Sequence, residues 1–296
     1  MATTITEAFV QHFGSDFKME YQRMTARLRS TVRKRNFQPG EKTRFYKSGV
    51  IADTFKTKGR HSEITPFNVG PSYEDVVLTD YYGGDWIDEF DEDKITIDER
   101  RRLARLIAAA KARTVDGIIR DAMYASAGSG GGGGGLPKFS SSTAQTVNYA
   151  NMLGLREELA GNDVPFEGQV FCAVGPKTWS KLMQIEQFVN QDYIPADQLV
   201  IATGMNMKPW LGINWFEWTG IQQDGTGDER NLLYHMETIG YASRGDDAVE
   251  GEGEGSPNLD FDWNGTRRAW FVSDGFEGGA TTIENAGGLE WVADVT

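Results

Sequence analysis

Thr96-Ile-Asp-Glu-Arg-Arg-Arg-Leu-Ala-Arg-Leu-Ile-Ala-Ala-Ala-Lys-Ala-Arg-Thr-Val-Asp-Gly-Ile-Ile-Arg-Asp-Ala-Met123 is the stretch from which the rest of the chain is read. Leu103, Leu106, Ile107, Ala110, Val115, Ile118, Ile119, Ala122 and Met123 recur at the helical period and form one broad apolar stripe. Thr96 with Glu99 fits a capping box, and Asp98 and Glu99 sit in the first turn, where the helix dipole favours them. The spacing predicts a helix over 97–125. At ~1.5 Å per residue it would span roughly 43 Å, which is long for a globular protein and reads as a spine.

What flanks the spine argues against two familiar chemistries. The lead-in holds Asp85, Asp88, Glu89, Asp91, Glu92 and Asp93, but an EF-hand counted from Asp91 would place Thr96 and Arg102 where glycine and glutamate are required. The segment reads as a charged lead-in to the helix. After the spine come glycines 128 and 130–135. Nucleotide-binding glycines follow a strand and open a helix, whereas here the helix comes first. The run reads as a linker or exposed loop.

Upstream, Phe17, Tyr21, Met24 and Leu28 lie at i, i+4, i+7 and i+11, with Arg23, Arg27, Arg33, Lys34 and Arg35 largely off that stripe. This predicts an amphipathic helix over 15–35 that needs an apolar surface, its own or another subunit's. Lys42–Lys47 and Val50–Lys58 are β-prone, charged and poor in apolar residues. They read as the two strands of a protruding hairpin stabilised by contact with something else, and an ordinary surface hairpin gives the same pattern.

Downstream the elements alternate. Helices are expected at Tyr149–Leu159 and Trp179–Phe188, and strands at Gly168–Val174, Leu211–Trp218, Leu232–Met236, Arg268–Ser273 and Leu289–Ala293. A second loop, Asp246–Gly255, is acidic and glycine-rich. Gly175-Pro-Lys-Thr178 resembles the end of a phosphate loop, but it lacks the earlier glycine and Pro176 splits the Gly-Lys pair.

Composition narrows the function classes. The single cysteine, Cys172, excludes an internal disulfide framework and every multi-cysteine metal site. Cys172 reads as core filler and His235 as a structural strand residue. His12, His61 and His235 fit no metal spacing, and no nucleophile elbow is present. No catalytic, cofactor-binding or metal residue is assigned, and the chain is read as no enzyme. Neither a signal peptide nor an apolar run long enough to span a membrane is present. The net charge of −13 divides unevenly, +8 over residues 1–60 and −21 over 61–296. A basic segment on an acidic body suits nucleic acid, or the acidic body of a neighbouring copy.

The order of these pieces resembles the major capsid protein of tailed bacteriophages, the Hong Kong 97-like fold. The resemblance is carried by Trp86–Asp93 with Ala112–Ala122, by Gln169–Met183 running on to Phe188–Tyr193, and by Leu199–Gly204 with Trp210–Trp215. It implies an α+β chain with an N-terminal arm (1–36) and an extended β-hairpin loop (37–80). A peripheral domain (81–144) would hold the spine helix 97–125 and the Gly-rich loop 128–135. An α/β axial domain (145–267) and return strands to the peripheral domain (268–296) would follow. It further implies inter-subunit contacts by Phe17, Tyr21, Met24, Arg27 and Leu28 of the arm. Arg44, Phe45, Lys47, Phe55, Lys56 and Lys58 of the loop would make the others.

Such a protein self-assembles as hexamers and pentamers of an icosahedral shell. The shell encloses double-stranded DNA without sequence-specific binding and contacts no membrane. The implied partners are a separate scaffolding protein, a portal and a decoration protein. The implied locations are the host cytoplasm during assembly and the virion afterwards. Two other readings stand beside it: a cellular cargo-enclosing nanocompartment of the same fold, and a soluble acidic α+β binding protein or hydrolase.

Overall fold

In the computed structural model, residues 23, 25–36, 42–49, 57–64, 70–89, 99–124, 135–142, 144–189, 207–244 and 260–295 are described. The spine is present as α1, Glu99–Tyr124. Its C-terminal carbonyls are reached by returning chain: Leu136 N donates to Met123 O at 2.9 Å. The capping box at Thr96 and both glycine-rich runs lie largely outside the described residues.

The chain divides into two compact units. One gathers residues 80–114 and 245–276. The other gathers 27–79, 115–244 and 277–296.

In the first unit, β4 (Thr79–Asp88) and β11 (Asp260–Asn264) pair with β12 (Ala269–Thr282). Side chains alternate across such a sheet with period two. One face turns Ile87, Trp270 and Val272 toward Leu103 and Ile107 of α1, making the unit's core. The same face carries a buried ion pair, Lys111 Nζ to Asp274 Oδ1 and Oδ2 at 3.2 Å each. The expected acidic lead-in over 81–97 is therefore a strand through Asp88.

The second unit is built on a six-stranded sheet ordered β5-β13-β9-β6-β8-β7. Its strands are β5 (Gln145–Thr146), β6 (Val170–Val174), β7 (Met207–Trp210), β8 (Ile213–Glu217), β9 (Glu229–His235) and β13 (Gly288–Asp294). Against it pack α2 (Tyr149–Gly161), α3 (Pro176–Leu182) and α4 (Glu186–Val189). The single expected helix at Trp179–Phe188 is thus two short ones. Cys172, Trp215 and Trp291 are completely buried in this core. Apolar area removed from water contributes about 25 cal/mol per Å², so the two buried indoles are large contributors to this core. The last strand, β13, pairs with β9, so residues 288–294 join this sheet rather than returning to the first unit.

The N-terminal segment departs from expectation. Residues 29–31 form one 3-10 turn, and β1 (Arg33–Asn36) is a strand, paired in parallel with β10 (Ile239–Arg244). Residues 23 and 25–28 are not helical, and Arg33–Asn36 form a strand because pairing with β10 outweighs the helical propensity of their arginines and lysine. Residues 15–22 and 24 of that expectation lie outside the described residues.

Candidate assembly surfaces

Strand β2 (Lys42–Ser48) pairs antiparallel with β3 (Pro71–Val77). The expected partner, Val50–Lys58, lies mostly outside the described residues, and its last two residues carry no strand. Alternation splits the hairpin into two faces. Phe45 and Val76 are buried with Ala242 and Ile283, so the base of the hairpin has a core within its own chain. Gly240 makes room for it: a Cβ there would stand 2.8 Å from the Phe45 ring. Lys47 Nζ donates to Ile283 O at 2.8 Å and meets Glu74 at 3.4 Å.

The outer face is polar-aromatic. Arg44 pairs with Asp75, its cross-strand partner, at 2.8 Å and lies 4.3 Å over the Tyr73 ring. The Asp75 carboxylate holds the guanidinium pKa above its usual value. Tyr46 meets Tyr73 edge-on at 6.4 Å. These two rings are 57% and 50% exposed, unusual for tyrosines held in place by neighbours.

The structure sorts the expected contact residues. Arg44 and Lys58 are on the surface. Phe45, Lys47 and Leu28, expected to contact other subunits, are engaged within their own chain. The reason is geometric: β2 points every second side chain inward, and Leu28 is completely buried where the chain is pinned to α1. Arg27 Nη1 donates to Glu217 O at 2.7 Å. Asp116 accepts the backbone N–H of Arg27 at 3.2 Å and of Leu28 at 3.0 Å. Phe17, Tyr21, Met24, Phe55 and Lys56 lie outside the described residues.

A second surface was missed in the sequence. On the sheet of the first unit, the face away from α1 carries Tyr82, Trp86 and Phe271. Two glycines make floors for these rings. A Cβ at Gly84 would lie 2.8 Å from Phe271, and one at Gly275 would lie 2.9 Å from Tyr82. Trp86 packs on Phe271 at 4.7 Å, and Arg267 lies 4.6 Å over Trp86. The available signal was the alternation Tyr82, Gly84, Trp86 along a segment read only for its charge.

The features that looked like chemistry in the sequence are occupied by structure among the described residues. The phosphate-loop look-alike is already filled: the Glu229 carboxylate accepts Thr178 N at 2.8 Å and Lys177 N at 3.2 Å at the start of α3. A helix N-terminus attracts an anion, and this chain supplies its own. Burial pushes the Cys172 thiol pKa far up, the opposite of what a nucleophile needs. His235 accepts Glu237 N on Nδ1 at 3.2 Å. Among the described residues no cluster of histidine, cysteine and carboxylates could hold a metal, and no helix is long and apolar enough to cross a membrane.

Comparison with known proteins places the chain in a family. Residues 5–290 match the family described as phage capsid protein. The fold is similar to the capsid structure of Cyanophage P-SCSP1u (TM-score 0.68, 16% identity, 97% of this chain and 93% of that one). It is similar to a Mycobacterium phage Che8 structure (0.66, 12%, 97% of each) and to the capsid of Ralstonia phage GP4 (0.67, 10%, 99% and 98%). No curated protein matches the chain.

Proposed function

This chain belongs to the phage capsid protein family, and from that premise we infer how copies of it build a shell. It is the structural major capsid protein of a tailed phage, and its fold is that of phage capsid subunits. The observation that carries this is the family match over nearly the whole chain.

Copies assemble as pentamers and hexamers of an icosahedral shell around double-stranded DNA. The unit built on α1 and the β4–β12 sheet serves as the peripheral domain. The six-stranded unit serves as the axial domain, meeting its copies at the shell's symmetry axes. The arm before Arg27 and the hairpin of β2 and β3 reach neighbouring copies. The exposed Arg44–Tyr46–Tyr73 face supports this role, because tyrosine and arginine are the residue types that anchor protein interfaces. The +8 segment then meets the acidic body of the next copy, which gives assembly a salt dependence. A separate scaffolding protein, a portal and a decoration protein complete the particle. Assembly takes place in the host cytoplasm.

Negative-stain microscopy of the purified protein, with and without co-expressed phage structural proteins, tests the reading. Closed shells of uniform diameter are expected, and nuclease-protected DNA in particles from infected cells. A protein that stays a 32.9 kDa monomer under all these conditions overturns it.

A further inference from the structure

Strands β11 and β12 are joined through Asn264-Gly265-Thr266-Arg267-Arg268. Asn264 is the one asparagine in the sequence that is followed by glycine. It is half-buried at the end of β11, while Gly265, Thr266, Arg267 and Arg268 of the turn are exposed.

Three features of this turn prepare a reaction between Asn264 and its neighbour. The electrophile is polarised: Asn264 Oδ1 accepts Thr266 N and Arg267 N, both at 3.1 Å. Donors at a carbonyl oxygen stabilise the negative charge that collects there when the carbon is attacked. The nucleophile and the leaving group are both unengaged: neither Gly265 N nor Asn264 Nδ2 has a hydrogen-bond partner among the described residues. The approach is open, because glycine carries no Cβ to crowd its own nitrogen.

We propose that Asn264 is a site of spontaneous deamidation through a cyclic imide with Gly265. The Gly265 nitrogen attacks Asn264 Cγ. An N–Cγ bond forms, the Cγ–Nδ2 bond breaks, and ammonia leaves with the proton from Gly265 N. Solvent water then opens the imide ring. Breaking the new N–Cγ bond leaves aspartate at 264. Breaking the original bond to the main-chain carbonyl carbon instead routes the chain through the side-chain carboxyl carbon, an isoaspartyl link. In both cases an amide and a water become a carboxylic acid and ammonia, and the chain gains a negative charge.

The two products treat the turn differently. Aspartate keeps an acceptor facing Thr266 N and Arg267 N, and a carboxylate there accepts more strongly than the amide did. The isoaspartyl link lengthens the main chain by a methylene and moves the acceptor off those donors. It displaces Arg267, which lies 4.6 Å over Trp86, and Arg268, whose Nη2 meets Glu89 at 2.9 Å. The proposal does not depend on the shell reading, and it is tested on the purified full-length chain.

Folded protein and a guanidinium-unfolded sample are incubated in parallel and followed by peptide mapping with mass spectrometry. Residue 264 is expected to convert faster than any other asparagine and to give both the aspartyl and the isoaspartyl form. The folded-state rate is expected within about tenfold of the unfolded one, since no local opening has to precede the attack. Gly265→Ala is the matched variant. A Cβ there meets only Trp263 Nε1 at 3.8 Å, an ordinary contact, so the turn is kept. It is expected to slow conversion about tenfold or more by crowding the attacking nitrogen. An unchanged rate in that variant, faster conversion at another asparagine, an aspartyl product without its isomer, or protection by the fold of more than about tenfold overturns the proposal.

Discussion

The carboxylate of Asp116, in the middle of the spine helix, accepts the backbone N–H of Leu28 at 3.0 Å and that of Arg27 at 3.2 Å. Asp116 is 1% exposed and Leu28 is completely buried. Hydrogen bonds to a buried charge are the strong ones, and this pair pins Arg27 and Leu28 to α1. Asp116→Ala strips two backbone donors of their acceptor and is expected to cost about 2–4 kcal/mol of stability. Asp116→Asn keeps one carbonyl oxygen and is expected to cost less. Urea denaturation gives both values. Limited proteolysis should show faster cleavage near Arg27 in the alanine variant, and unchanged cleavage there would contradict the anchoring role.

The spine helix was legible because nine apolar residues repeat without interruption over 26 residues, and its observed ends fall within two residues of the expected ones. Lys42–Lys47 and four strands of the larger sheet, β6, β8, β9 and β13, were legible from their β-prone runs, whereas β5 and β7 were not expected. Arg33–Asn36 was not, because four polar residues carry no pattern and only β10 makes them a strand. Strand β4 was hidden by aspartates and glycines, and its glycines make sense only when Phe271 and Tyr82 are seen lying across bare backbone. Phe45 was expected to contact another subunit, and its inward turn was not legible because what lies beneath it, Gly240, is almost 200 residues away in the chain. Interfaces were legible only as composition, since a side chain's partner is a tertiary fact.

Gly175 and Glu229 form a second long-range lock. A Cβ at position 175 would fall 2.2 Å from the Glu229 carboxylate, which is itself held by Lys177 N and Thr178 N. Gly175→Ala is expected to destabilise by about 2–3 kcal/mol through overpacking. Glu229→Ala is expected to cost about 1–3 kcal/mol through uncapped helix donors. Because alanine at 229 vacates the space that alanine at 175 needs, the double variant should cost clearly less than the sum. Strict additivity in thermal denaturation would refute the lock.

The Lys111–Asp274 pair is almost entirely removed from water, with side-chain exposures of 4% and 3%. Removing one partner strands a buried charge, so Lys111→Met alone is expected to cost about 3–5 kcal/mol. Replacing both, as Lys111→Met with Asp274→Leu, is expected to return stability to within about 1 kcal/mol of the parent. If the double variant is as unstable as the single one, the pair has a structural role that hydrophobic packing cannot supply.

His235 links stability to mild acid. Burial lowers its pKa below the ordinary value, with Glu237 and Glu167 opposing the shift. Its Nε2 is buried without a hydrogen-bond partner, so the folded state favours the neutral ring. Below the unfolded pKa, about 6.5, the unfolded chain binds a proton that the folded chain resists, and stability falls as pH falls. His235→Gln should flatten the decline between about pH 7 and pH 5. An identical slope in parent and variant would assign the acid sensitivity to other groups.

Lys208 extends the same trend to the alkaline side. Its ammonium is completely buried, donates to Phe188 O, and lies 3.9 Å over the Phe188 ring. Burial lowers its pKa to about 8 from an ordinary 10.5. Between those values the folded chain has released a proton that the unfolded chain still holds, so stability rises with pH across that window. Above about pH 10 the trend reverses. Burial raises the pKa values of Tyr124 and Tyr234, so the unfolded chain loses protons there that the folded one keeps. A stability maximum between pH 8 and 10.5 is therefore expected by denaturant titration. Lys208→Met should abolish the rise while leaving the fall above pH 10 intact. If the rise survives in that variant, its source is not Lys208.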